Sequence, residues 1–104
     1  MEIKVLEASK VKYMVDNNQF DLIIDLRNEE NYSKGHIPGA INIPINEITD
    51  NMDFLEPYKN KSVMLYCGIG SQSKSVCKVL ALSGFKQLYS LFRGLKEYKY
   101  ELQL

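Results

Sequence analysis

The stretch SVMLYCGIGSQS, residues 62–73, runs a short apolar segment into Cys67 and then into glycines, serines and one glutamine. Residues 62–67 are too few for a typical helix and too uniformly apolar for a half-exposed strand, so they read as a strand buried on both faces. Residues 73–83 carry apolar side chains at 76, 77, 79, 80, 81 and 82, which predicts a well-buried helix beginning near residues 71 to 73 and closed by Gly84. A buried strand passing through a glycine loop into a helix is the building unit of an α/β sheet.

The same alternation continues in both directions. FDLIID (20–25) is a second buried strand, IKVL (3–6) a short edge strand, and Ser9 a candidate N-cap for a helix through Val11, Met14 and Val15. Glu29 to Lys34 predicts a short helix stopped by Gly35. Ala40 to Ile43 reads as a strand, and the polar stretch after Pro44 as a loop with a short helix near 46–50. Downstream, QLYSL (87–91) is a last strand, and Gly94 opens a C-terminal helix to about Leu102. The expected class is α/β, a parallel sheet with helices on both faces.

Composition narrows the function. A chain of 104 residues, 45% hydrophobic, suits a single domain spanning 1–104. Thirteen basic residues balance thirteen acidic ones without blocks of either sign, so neither nucleic acid nor a membrane surface is an expected partner. No apolar run approaches the ~20 residues needed to span a bilayer. The N-terminal MEIKVLEASKVKYMVDN lacks the apolar core and small-residue cleavage site of a signal peptide, which makes a cytoplasmic location the expectation. Two cysteines and one histidine, without CxxC spacing, offer neither a disulfide framework nor a metal site. No cofactor is indicated.

Cys67 falls where a strand's carboxyl end meets a helix's amino end, the crevice in which open α/β sheets bind ligands. The first helical N–H groups and the positive dipole end would face its sulfur and favour thiolate. Gly68 and Gly70 permit backbone angles closed to other residues, so successive amides of Gly68, Ile69, Gly70, Ser71, Gln72 and Ser73 can turn inward as an anion nest. The bland alternative is a small apolar cysteine ending a buried strand. Cys77, in the apolar part of the following helix, reads as structural.

DLIIDLR (21–27), GHIPGAINIP (35–44), VMLYCGIGSQS (63–73) and GFKQLYSLFRGLKEY (84–98) together resemble the rhodanese domain, in that family's order and separations. The resemblance implies a three-layer fold with a five-stranded parallel sheet. It also implies a thiosulfate sulfurtransferase-like activity, with Cys67 as the persulfide-forming catalytic residue and the backbone of 68–73 as substrate-binding loop. The donor would be thiosulfate or a protein persulfide, the acceptor cyanide, a thiol or a protein. Asp25 and His36 match family positions and read as structural polar residues, His36 as a hydrogen-bonding clamp. Arg27 reads either as a strand-end tie or as a rim residue of the pocket, with Lys74 and Arg93 as further rim candidates.

Three departures from the family pattern stand out. The sixth loop position, usually arginine, is Gln72, and a neutral amide grips an oxyanion less firmly than a guanidinium. The usual Gly-Gly and tryptophan are Arg93-Gly94 and Tyr98. The usual glutamate before the histidine is Asn31, beside Glu30. Gln72 makes a sulfur-carrier or regulatory module with little thiosulfate turnover the main alternative. A phosphatase or arsenate reductase of this fold would need an arginine seven positions into a longer loop, where Ser73 stands.

Overall fold

A computed structural model describes residues 3–104; Met1 and Glu2, the start of the N-terminal segment read above, lie outside them. Five strands form one wholly parallel sheet: β1 (Ile3–Leu6), β2 (Leu22–Asp25), β3 (Ile41–Asn42), β4 (Ser62–Tyr66) and β5 (Gln87–Leu91). Their spatial order is β1-β5-β4-β2-β3. Strand β4 is central, paired with β2 from Val63 to Tyr66 and with β5 from Ser62 to Leu65. Neighbours on both edges and layers on both faces explain why all five of its residues are buried and why the run is apolar throughout.

The strict two-residue period of a strand sorts its side chains between two cores. Leu22, Ile24, Val63, Leu65 and Cys67 face α3 (Met52–Leu55) and α4 (Ser71–Leu82), meeting Leu55, Val76, Cys77 and Leu80. Ile23, Met64 and Tyr66 point the other way, packing with Val11 of α1 (Ala8–Asp16) and with Tyr32 of α2 (Glu29–Lys34). Each fully buried aliphatic side chain contributes about 1.5–3 kcal/mol. The parallel sheet with helices on both faces is as the sequence predicts.

Several local expectations are corrected. Helix α1 starts at Ala8 with Glu7 in the cap position and no side-chain cap, so Ser9 lies inside the first turn. Leu6 and Ala8 both pack into one core, which leaves a single linking residue and pulls the helix start forward. Helix α4 is less buried than its composition suggests: Val79 is 51% and Leu82 79% exposed, because only one stripe of a helix against a sheet is covered. The strand expected at 40–43 pairs only over Ile41–Asn42, and the polar stretch after it holds two 3-10 turns, Ile45–Glu47 and Thr49–Asn51, ahead of α3.

The largest correction is at the C-terminus, where the expected helix from Gly94 is only a 3-10 turn, Leu95–Glu97. The amides of Leu95 and Lys96 are bonded instead to the Cys67 and Gly68 carbonyls at 2.9 and 3.1 Å. Further on, Gln103 forms an antiparallel bridge with His36. Backbone groups committed to other segments cannot close a helical ladder.

At the amino end of the sheet, the Asp21 carboxylate accepts the Ser62 N–H at 2.9 Å and its hydroxyl at 3.0 Å, tying β2 to β4. These bonds, the backbone one foremost, hold Asp21 below its ordinary value of 3.8. A depressed carboxylate stabilises the fold above its unfolded value, and that contribution is lost as pH falls through the folded value. Asp21→Asn is therefore expected to lower the urea midpoint at pH 7, with the gap to wild type closing below about pH 3.8.

Candidate active site

Cys67 is the first residue beyond β4, and its side chain is wholly buried. The Gly70 N–H donates to its sulfur at 3.0 Å and the Ser73 N–H at 3.4 Å. Both come from the turn into α4, whose cap position is Gly70 at φ 98°, ψ −24°. The left-handed backbone there is what aims the Gly70 amide back at the sulfur, and it favours glycine. The Cys67 thiol also lies 3.7 Å from the Ser73 hydroxyl oxygen.

The loop is thus a cradle, built more sparingly than expected. Among the described residues, only the amides of Gly70 and Ser73 bond the sulfur; those of Gly68, Ile69, Ser71 and Gln72 do not. Ser71 and Gln72 open α4, so their amides have no partner one turn back and remain free for an anion. Gly68 is corrected: its φ is not positive, and a Cβ there would meet nothing within 4 Å. The tight approach belongs to Gly94, at φ 69°, ψ −167°, where a Cβ would fall 2.6 Å from the Gly68 carbonyl. Gly94 lies flat on the loop, and the next two amides pin it.

Beside the cradle is a cavity of about 380 Å³ lined by Val5, Ile69, Gly70, Lys74, Ser90, Leu91, Phe92 and Arg93. Gly70 and Ser90 line it and also reach the sulfur, Gly70 directly and Ser90 through a 2.8 Å bond to the Ser73 hydroxyl. The structure therefore brings Lys74 and Arg93 to one rim. Ile69 is 66% exposed at its lip. Gln72 is exposed on α4, and its side chain bonds no described residue.

The remaining candidates sit on the opposite face of the sheet. Asp25 is fully buried and accepts the Arg27 guanidinium bidentately, at 3.0 Å through Nε and 2.7 Å through Nη2. Arg27 also donates to the Gly35 carbonyl at 2.7 Å, and it does not line the cavity, so its geometry is that of a tie. His36 stacks on Tyr32 with ring centroids 3.8 Å apart and its Nδ1 bonds the Tyr32 carbonyl at 2.9 Å. Tyr66 donates nothing to the cradle; its oxygen accepts the Ile37 N–H at 3.0 Å. Cys77 is buried in α4 with its thiol 3.7 Å from the Tyr89 carbonyl, and burial pushes it up to about 12.

The family model described as Rhodanese-like domain matches residues 7–101. The chain belongs to the rhodanese-like family. It is 32% identical over 97 residues to the tRNA uridine(34) hydroxylase of Buchnera aphidicola subsp. Baizongia pistaciae, covering 89% of this chain but 31% of that protein. It is 34% identical over 86 residues to YtwF of Bacillus subtilis, provisionally named a sulfurtransferase, covering 83% of this chain and 82% of that one. The crystal structure of a rhodanese-like domain protein from Staphylococcus aureus superposes with a TM-score of 0.85 at 25% identity over 97% of each chain.

Sequence reasoning located this rhodanese-like cradle but missed Ser90 and the amides of Leu95 and Lys96. Ser90 had one signal, a lone serine among the apolar residues of QLYSL. The two amides had none, since their role depends on the path of a segment wrongly expected to be helical. The contrast between two glycines is testable. Gly94→Ala is expected to cost at least about 1–3 kcal/mol in urea unfolding from backbone strain alone, whereas Gly68→Ala leaves the midpoint within error.

Proposed function

We propose that this rhodanese-like chain is a sulfurtransferase that carries sulfane sulfur on Cys67. The observation that carries the reading is the pair of N–H groups converging on one sulfur at the amino end of α4. Hydrogen bonds to a charged acceptor are worth about 1.5–3 kcal/mol each, and the helix end adds to them. Charged sulfur is the species that attacks another sulfur atom.

With thiosulfate, the Cys67 thiolate attacks the outer sulfur, forming a new S–S bond. The original S–S bond breaks and its electron pair leaves with sulfite. The persulfide now bears the negative charge. In the second half, cyanide or a thiolate attacks the terminal sulfur, and the electron pair returns to Cys67. No proton need move through a side-chain base, which agrees with His36 being engaged elsewhere.

A protein persulfide donor is favoured over free thiosulfate by two observations. Gln72 offers neither charge nor a held geometry for sulfite oxygens. The rim combines exposed Ile69 and Phe92 with Lys74 and Arg93, a surface suited to a larger thiol carrier with acidic flanks. The buried, hydrogen-bonded Ser73 stands where a phosphatase loop needs its arginine, which weighs against phosphoryl chemistry. Two free cysteines fit a cytoplasmic setting, and no helix among the described residues is long and apolar enough to cross a membrane.

Intact mass after incubation with thiosulfate or a protein persulfide should show one added sulfur, removed by cyanide. Cys67→Ser abolishes the adduct and Cys77→Ser keeps it, since Cys77, pushed up to about 12, stays a protonated thiol at neutral pH. Failure of every donor to load Cys67 sinks the reading. Separately, Gln72→Arg is expected to lower the KM for thiosulfate about threefold to tenfold; an unchanged or higher KM means that residue 72 does not face the donor.

A further inference from the structure

We propose that Ser90 is a positioning residue for Cys67: acting through Ser73, it keeps a hydroxyl proton available to the charged sulfur. The inference rests on the reading of Cys67 as sulfur carrier. Ser90 is 1% exposed on β5, level with Leu65 of β4 and Val5 of β1. Its neighbour on the same face, Leu88, belongs to the apolar core against α4. A hydroxyl buried there is costly unless bonded. Its partner is the Ser73 oxygen at 2.8 Å, itself in a residue with no exposed surface.

Counting protons assigns the direction of each bond. A serine hydroxyl has one proton and two lone pairs. Ser73 donates its proton to the Gly70 carbonyl at 3.1 Å, leaving its lone pairs for the Cys67 thiol at 3.7 Å and for Ser90. Ser90 is therefore the donor in the serine pair.

The arrangement changes when Cys67 loses its proton or carries a persulfide. Charged sulfur only accepts, so the bond it donated to Ser73 disappears. Rotation about the Ser73 Cβ–Oγ bond moves its proton from the Gly70 carbonyl to the sulfur. Ser90 still donates to the Ser73 oxygen, so that buried atom is satisfied in both charge states, and the donation polarises the O–H aimed at sulfur. Without Ser90, the Ser73 oxygen loses its last donor at the moment the sulfur becomes reactive.

Ser90→Thr and Ser90→Val form a pair of equal shape differing in one hydroxyl, so whatever the added methyl displaces is common to both. Two rates at Cys67 are compared at fixed pH by peptide mass spectrometry: sulfur loading from thiosulfate and alkylation by iodoacetamide. Ser90→Val and Ser90→Ala are expected to slow both about threefold to tenfold, and Ser90→Thr to stay within about twofold of wild type. In a Ser73→Ala background, the further change Ser90→Ala should add nothing. Equal rates for the threonine and valine variants overturn the proposal. So does faster alkylation, which would mark Ser90 as packing that merely shields the sulfur, and so do losses that multiply with Ser73→Ala. A wild-type protein that alkylates at Cys67 yet accepts sulfur from no donor overturns the sulfurtransferase reading alone, and the alkylation rates still decide the case of Ser90.

Discussion

The sulfur of Cys67 must accept backbone N–H groups from a loop that folds back over it, and much of the local architecture follows from that demand. For the Gly70 amide to reach Sγ at 3.0 Å, residue 70 must turn left-handed at the start of α4. The loop so formed exposes the carbonyls of Cys67 and Gly68, which need donors of their own. The Leu95 and Lys96 amides supply them, and only a glycine at 94 lets the backbone come close enough. Two glycines and a short turn therefore fix the Cys67 sulfur, and among the described residues no charged side chain bonds it.

The opposite face of the sheet solves a different problem. Three strand ends and two loops meet around Asp25, which has no exposed surface. Its charge is matched bidentately by Arg27, which also holds the Gly35 carbonyl, while Asn42 donates to the Asp25 and Arg27 carbonyls. Breaking a buried pair of this kind strands a charge, at about 3–5 kcal/mol. Burial, reinforced by the Asp25 charge, pushes the Tyr66 phenol far up, so it stays an O–H while its oxygen takes the Ile37 amide. These groups set the position of β4 and hence of Cys67, but the sheet stands between them and the sulfur.

How far the sequence foretold this depends on how local the cause was. Strands β2, β4 and β5 and the start of α4 were legible because their apolar pattern and glycine punctuation are contained within a few residues. Cys67 was legible for the same reason, sitting at a strand-to-helix joint. The C-terminal turn was not: Gly94 and the residues after it have ordinary helix-forming composition, and only the distant carbonyls of residues 67 and 68 divert their amides. Arg27 could equally have reached the cavity or Asp25. Nothing in its neighbourhood chose between them until the sheet placed Asp25 and Gly35 on the side away from Cys67.

The two departures nearest the site bear on each other. Gln72 is exposed, bonds no described residue, is not among the residues lining the cavity, and brings no charge where a guanidinium would grip an oxyanion. The positive charge of the cavity lies on Lys74 and Arg93, beside exposed apolar Ile69 and Phe92. On the proposed reading, charge on this rim attracts either kind of anionic donor. It does more for a partner large enough to touch the rim and present a sulfur at once, since apolar contact and ion pairing then act on the same encounter. Under the proposed sulfurtransferase reading, the neutral residue at 72 and the arginine at 93 both favour a donor carried on a larger molecule over a free inorganic one.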